Sequence, residues 1–503
     1  MKTLFTIVFL ALVAASFLTW WSLPGQTSAA PILYWVTDGS SVRLQQIRAF
    51  KEWLKKNNLP DIDVRLDTVN NRPEKVLVQG VSGVCGEILD HTGGSNMRFR
   101  QAVGLLEDLT DDAERMGFGL SRTFPALRDE LSVDGRQYAF PGNAGTDGLW
   151  VNVEAFEAAG MDVPPRQWTV EAFEAVGREF VSRMNEPGRP RRYYFTPDIS
   201  AANLARTMGA AFYNETQTAC VVDTPGFRRA LGLRYKWTHE DHLLPTTADL
   251  SAFADMPGYG GLTYTLFTKG HFAVLNSGRW AVMLFRHITD ERRKEGLPPM
   301  RLSVSEPPNG GLRVQTCYTR AIALYAAGKN KALAKHFMAF LASDEYNMGV
   351  VLDGDAQPPL PEYSKTPEYL RPADHPEEWQ TPWGSVHGAF AEMMDELAVS
   401  PEFSPFVLDA VANRLFGECA DKHMNNMLGL NETTALIQRL VNDEILRALG
   451  EDPAMRALYN ERLATQAKIE TLRARNEKIP LSWITNPYWR RHHALRGLID
   501  EAR

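Results

Sequence analysis

Asp38, His91, Arg320 and Asp355 each carry a side chain that gives or takes more than one hydrogen bond. Each also falls where an apolar run meets a loop. In α/β sheets ligands sit beyond the carboxyl ends of strands, so these four are candidates for holding ligand hydroxyls. Other chemistries find less support. His239 and His242 flank two acids, but further ligands are not in sequence reach, and the pair reads as a solvated helix end before Leu243-Leu244-Pro245. Gly93-Gly94 lacks the Lys-Ser/Thr of a phosphate-binding loop, and a G-x-S-x-G elbow is absent. The four cysteines, at 85, 220, 317 and 419, have no C-x-x-C spacing. They fit one or two disulfides in an exported protein, or buried thiols. Neither a metal site nor a cofactor is expected. A glycoside hydrolase remains the enzymatic alternative, because its two carboxylates leave no local signature.

The elements that must position these residues begin with Pro31 to Asp38, whose β-branched and aromatic content predicts a buried strand. A helix follows to about Asn57, capped by Ser40 or Ser41, with Leu44, Ile47, Phe50 and Leu54 on one face. Strands at Ile62 to Val69 and at Gly86 to His91, separated by a helix from Arg72 to Val81, complete a β-α-β opening with parallel strands. The loops after Thr37 and Leu89 therefore face the ligand side. Leu149-Trp150-Val151 reads as a short buried strand after the Pro141-Gly142-Asn143 turn signal, and it leads into two short helices, the second capped by Thr169. Helical patterns recur at Ala201 to Gly209, Pro225 to Trp237, Lys331 to Ser343, Glu432 to Leu449 and Ala454 to Asn476. Arg320 to Ala327 reads as a further buried strand.

At 503 residues the chain is long enough for more than one compact unit, and its net charge of −7 points away from a nucleic-acid partner. The uncharged run from Thr3 to Trp21 is an export signal. Small residues at Thr27-Ser28-Ala29-Ala30 favour cleavage, although the run is also long enough to span a bilayer if retained. Residues 1–30 are thus a signal peptide or an N-terminal membrane anchor, and the mature protein is periplasmic or extracytoplasmic.

Three groups of residues carry a family resemblance. The first is Tyr138, Pro141, Trp150-Val151-Asn152, Phe156, Gly160, Pro164-Pro165, Trp168 and Phe173. The second is Phe267 to Val274 with Ser277-Gly278-Arg279-Trp280. The third is Lys331, Ala334, Phe337, Phe340-Leu341, Ser343 and Glu345. Together they resemble the sugar-type extracellular solute-binding proteins of ABC importers, with Val151 standing where an aromatic is usual. The resemblance runs from about Ile32 to Leu360. It implies an α/β two-lobe clamp (type II) joined by hinge strands, with a C-terminal helical extension. The implied ranges are 31–150 for the first lobe, 151–319 for the second, 320–360 for the return to the first, 361–479 for a helical part mainly on the second, and 480–503 for a tail. It also implies binding rather than catalysis, a sugar, oligosaccharide or polyol as ligand, ABC permease subunits as partners, and a monomer. Trp280 becomes the leading ligand contact, since an indole suits the flat apolar face of a pyranose. A membrane-tethered sensor or structural subunit with a degenerate cleft is the remaining alternative. Trp483, Tyr488 and Trp489 beside Arg490 and Arg491 fit either partner docking or a tail folded on its own lobe.

Overall fold

A strand of β-branched and aromatic residues, β1 (Ile32–Val36), starts the fold and runs into helix α1 (Ser41–Lys56). In this computed structural model the described residues are 30–92, 94–450 and 453–500 with positions 9, 13, 14 and 16, so the export segment lies almost wholly outside them. Among the described residues no helix is long and apolar enough to cross a membrane. Ser40 is the α1 cap, its hydroxyl accepting from the Val42 N–H at 3.3 Å. The inward face of α1 carries Val42, Arg43, Gln46, Ile47, Phe50 and Leu54. Leu44, expected on that face, is instead 53% exposed. It lies about 100° around the helix from Arg43, and the stripe that points inward includes two polar side chains that find buried partners.

β2 (Asp63–Asp67) lies parallel to β1, and β3 (Ile88–Thr92) lies parallel on its other side. The strands that follow in the same sheet are β4 (Ala139–Asn152), β5 (Val274–Gly278), β6 (Leu302–Ser305), β7 (Gln315–Leu324) and β8 (Ala398–Val399). β4 is one strand of 14 residues, where a turn and a short strand were expected. The Pro141-Gly142-Asn143 signal is absorbed as a register irregularity between Pro141 and Ala144. There the Asn143 side chain accepts from the Arg320 N–H at 3.0 Å, and the Asn143 carbonyl accepts from the Thr319 hydroxyl at 2.6 Å.

β4 also changes partners along its length. From Ala139 to Thr146 it pairs with β7, which in turn pairs with β3. From Asp147 to Asn152 it pairs with β5 and β6. β7 does the converse: Gln315 and Thr316 pair with β8, and pairing with β4 starts at Cys317. Two strands thus thread both lobes of an α/β clamp. One core gathers Trp35, Phe50, Phe337 and Phe340 under the β1–β3 sheet. A second gathers Trp168, Phe173, Phe195 and Trp237 together with Cys419, Ile437 and Val441 of the C-terminal helices. A third surrounds Trp150 with Phe285 and Phe390.

The tail folds on its own chain. Tyr488 and Trp489 are buried with Ala211, Leu312, Val314 and Val399. Trp489 Nε1 donates to the Tyr213 carbonyl at 2.8 Å, while Arg490 reaches Asp129, near β3, at 3.2 Å. All four cysteines are free thiols.

Candidate functional site

The carboxyl ends of β1 and β3 hold a connected set of charges. Asp38 follows β1, and its carboxylate accepts from Arg43 Nε and Nη2, both at 3.1 Å, and from the Ser40 N–H at 2.8 Å. Arg43 also reaches Asp355 at 3.1 Å. Arg320, on β7, faces Asp90 at 3.4 Å and Asp38 at 3.9 Å, with the Tyr346 hydroxyl at 3.4 Å and the Trp35 ring 5.9 Å away. Asp90 is fixed in turn by Trp35 Nε1 at 2.7 Å and by the Thr37 hydroxyl. Burial works against the Arg320 charge, but Asp90, Asp355 and Asp38 outweigh it and hold its pKa above the ordinary value. Burial likewise opposes the Asp38 charge, and Arg43 overcomes it, so that carboxyl sits below the usual range.

Three of the residues singled out by strand-end position, Asp38, Arg320 and Asp355, therefore belong to one network. They differ in availability, since the Asp38 side chain is 45% exposed, Arg320 10% and Asp355 8%. Asp38 alone of the three presents a free edge. His91 lies in β3 opposite Ala321, and its side chain lies outside the described residues. Position-based reading missed Arg43, Asp90 and Tyr346. Asp90 directly follows Leu89, so it lies where the loop rule pointed, and the choice of His91 passed over it.

Trp280 lies on the other side of the strand switch. It is half-buried, and its ring centroid is 5.6 Å from that of Tyr264, whose hydroxyl bonds Ser277 Oγ at 2.9 Å. Beside it Tyr318 runs across two glycines. A Cβ on Gly145 would lie 2.8 Å from the Tyr318 hydroxyl, and one on Gly278 only 1.7 Å, so only glycine leaves room for this ring. The hydroxyl is enclosed and makes no hydrogen bond of ordinary geometry, with the Trp280 side chain as its nearest hydrogen-bonding neighbour. Burial, then Asp147 and Asp355, push its pKa well above normal. Asp147 pairs with Gly278 across the ladder, and Asn276 Nδ2 approaches its carboxylate at 3.5 Å. Burial lifts the Asp147 carboxyl to about 6 against that weak contact.

Arg279, next to Trp280, ties the two sides together. It is 1% exposed and donates to His387 Nδ1 at 2.9 Å, to the Val351 carbonyl at 3.2 Å and to the Ala356 carbonyl. His387 Nε2 therefore carries the proton and donates to Glu378 at 2.7 Å, which Arg286 grips at 2.7 and 2.8 Å. Burial, with Arg279 adding, holds His387 down at about 4 and so keeps it neutral. The loop carrying Asp355 is thereby held from one side by Arg43 and from the other by Arg279.

The family model described as bacterial extracellular solute-binding protein matches residues 44–348, well over half of the sequence. The chain belongs to that family. Solved structures agree on the fold. An ABC substrate-binding protein from Listeria monocytogenes, in complex with cycloalternan, superimposes with a TM-score of 0.67 at 18% identity, covering 84% of this chain and 99% of its own. An ABC transporter solute-binding protein from Thermotoga lettingae bound with α-D-tagatose gives 0.66 at 14% identity, covering 83% and 100%. The sugar-binding protein MalE of Xanthomonas citri gives 0.63 at 16% identity, covering 83% and 98%. Comparison with curated proteins gives no match. The relatives are binding proteins, and this family's common clamp accounts for the strands shared between lobes.

The remaining sequence candidates do not join the site. His239 ends a helix, and His242, at φ 53°, turns its ring to the Thr238 carbonyl at 3.2 Å. Among the described residues no group of three or more His, Cys, Asp or Glu side chains is arranged to hold a metal ion.

Proposed function

We propose that this solute-binding protein captures a carbohydrate or related polyol between its lobes and hands it to the permease of an ABC importer, without catalysing a reaction on it. The observation that carries the reading is the pairing of a half-buried indole, Trp280, with a bank of fixed carboxylates and guanidiniums at the ends of β1 and β3. An apolar face opposite directional hydrogen-bonding groups is what a sugar ring needs. Ranges 31–150 and 320–360 form one lobe in this reading, 151–319 with 361–479 the other, and the tail 480–503 straps onto the second. The partner changes at Thr146/Asp147 and Thr316/Cys317 support hinges close to those limits. Trp280, Asp38, Arg320 and Asp355 are proposed ligand contacts, with His91 added from its place at the end of β3. An uncleaved N-terminal segment would tether the protein to the membrane; a cleaved one would free it into the periplasm as a monomer.

The test is a thermal-shift screen over mono- and oligosaccharides, polyols and glycerophosphodiesters, followed by titration calorimetry of the best ligand. Trp280→Ala is expected to weaken that ligand by about 1–3 kcal/mol while leaving the melting temperature nearly unchanged. Unaltered affinity with a collapsed melting temperature would place Trp280 in the core and the ligand elsewhere. Release of reducing ends from an oligosaccharide would favour the hydrolase alternative. Saturating ligand is also expected to contract the small-angle scattering envelope, because closure of the lobes is how occupancy is signalled.

A further inference from the structure

We propose that Arg279 is a positioning residue for the ligand site: without touching ligand, it fixes the turn that carries Asp355 at a set spacing from the Trp280 indole. The inference rests on the carbohydrate reading above for Trp280 and Asp355 as contacts, and names the group that sets the distance between them. Arg279 and Trp280 are consecutive residues of one short turn, Arg279–Ala281, that follows β5. Their burial differs. The indole is half-buried, whereas Arg279 is 1% exposed. A cation taken out of water is costly unless other groups replace its hydration. Here the hydrogen-bonding partners are all neutral: His387 Nδ1 at 2.9 Å, the Val351 carbonyl at 3.2 Å and the Ala356 carbonyl, with the Tyr369 ring 4.3 Å from Cζ. Val351 lies in the last turn of helix Asp344–Asp353, where carbonyls without helical partners carry the negative end of the dipole. Arg286 takes the next carbonyl, Leu352, at 2.9 Å. Two guanidiniums from the Trp280 side thus grip one helix end, and Asp355 follows it two residues later.

The turn needs that grip. Gly354 and Ala356 both adopt left-handed backbone, at φ 76° and 58°, and alanine resists it because its Cβ crowds the following carbonyl oxygen. Arg279 bonds the carbonyl of Ala356 itself. On the far side Gln357 exchanges two backbone hydrogen bonds with Ala144 of β4, each at 2.8 Å, and Arg43 holds the Asp355 carboxylate at 3.1 Å. Asp355 therefore sits between two fixed points, and the one joined to the indole is Arg279. Four residues, Trp280, Arg279, Ala356 and Asp355, connect the apolar wall to the carboxylate, so their spacing holds as long as the turn keeps its shape. Arginine suits the task because its planar fork reaches two carbonyls and an imidazole at once, which the point charge of a lysine cannot do.

The test compares Arg279→Met, Arg279→Lys, Ala356→Gly and the combination of Arg279→Met with Ala356→Gly, all in the full chain. Hydrogen exchange over residues 354–357 reads the turn without ligand, through the Gln357 amide bonded to Ala144. Calorimetric titration with maltose, cellobiose and mannitol reads the spacing. Both Arg279 variants are expected to speed Gln357 exchange, and to weaken the probe that the parent binds, by at least about tenfold each. Glycine takes left-handed backbone freely, so Ala356→Gly is expected to change the parent little yet to recover several-fold of the loss in the Arg279→Met background. A merely structural Arg279 would give no such rescue. Melting temperatures serve as the folding control, and Arg279→Lys, which keeps the cation, stands in where Arg279→Met does not fold. Parent-like exchange in the Arg279 variants overturns the assignment, as does a loss that Ala356→Gly leaves untouched. Failure of both Arg279 variants to fold makes the residue a core cation and overturns it too. Absence of binding by all three probes overturns the carbohydrate reading, and the exchange data then decide the positioning alone.

Discussion

Trp489→Ala is expected to destabilise the protein by about 3–5 kcal/mol, the usual range for truncating a large buried aromatic. Its indole is 9% exposed, lies 5.2 Å from the His493 ring in a stacked arrangement, and bonds the Tyr213 carbonyl at 2.8 Å. Its neighbours are equally engaged. The Tyr488 hydroxyl donates to the Arg206 carbonyl at 2.8 Å, and Asn486 Nδ2 reaches the Tyr213 and Asn214 carbonyls at 3.1 and 3.2 Å. The segment also covers Glu215, a carboxylate with 2% side-chain exposure that accepts from Arg473 at 2.8 Å and faces His493 at 3.4 Å. Burial opposes the Glu215 charge, yet His493, Gln466 and Arg473 hold it down to about 2. Opening the tail would also take His493 away from Glu215, leaving Gln466 and Arg473 of the preceding helix as its partners, a loss added to that of the indole. Urea unfolding of Trp489→Ala reads the effect as a fall in midpoint at constant slope. An unchanged midpoint would mean that the tail is an accessory arm available to a partner. Because Arg490 reaches Asp129 at 3.2 Å, the same segment touches the region beside β3, so scattering of the variant also reports whether the strap limits opening.

Sequence periodicity was a good guide wherever one face of an element is apolar. The helix at Lys331–Leu341 buries Phe337, Phe340 and Leu341 as its spacing requires, with Leu333 of the same expected face half-buried, and β1 carries the aromatic and β-branched content of a central strand. Strand-end position led to Asp38, a member of the charged network, and a multi-residue motif led to Trp280, proposed above as a ligand contact. The site was illegible where a polar residue faces inward along an element. Arg43 and Gln46 lie on the helix stripe that apolarity alone would have given to Leu44, and their reason for facing in, Asp355 and Tyr346, lies some 300 residues away in sequence. Tyr318 is hidden for a similar cause, since its place depends on Gly145 and Gly278 meeting under one ring. The Pro-Gly-Asn signal misled because a strand shared by two lobes can absorb a local irregularity that an isolated hairpin could not.

The Glu130 contribution to stability should fall by about 2 kcal/mol as pH rises from 6.5 to 8, a fall that Glu130→Gln should lack. Glu130 is 1% exposed; one carboxyl oxygen accepts from the Gly94 N–H at 3.1 Å and the other has no partner. Burial is the main cause that lifts its pKa to about 8, with Asp129 adding and the Gly94 N–H opposing. A carboxyl whose folded pKa exceeds its unfolded value of 4.5 binds more protons when folded, so its contribution is complete below 4.5 and is lost as pH climbs through 8. Other groups set the window. Asp147 and Asp353, both near 6, push in the same direction but have largely ionised by 6.5. His387 and His492, both held near 4 by burial against an ordinary value of 6.5, push the opposite way, and stability gains as the unfolded imidazoles lose their protons, a gain that runs on past pH 6.5. Between 6.5 and 8 the two histidines offset about half of the Glu130 change, so that change is read as the difference between parent and Glu130→Gln at each pH. Glutamine copies the protonated acid, keeping an oxygen for the Gly94 N–H and the same volume, so the variant should match the parent near pH 6 and exceed it at pH 8. Chemical denaturation at a series of pH values measures this directly. A variant whose curve tracks the parent's over the window would mean that Glu130 is ionised in the native state and that its unpartnered oxygen is stabilised by a contact formed in solution.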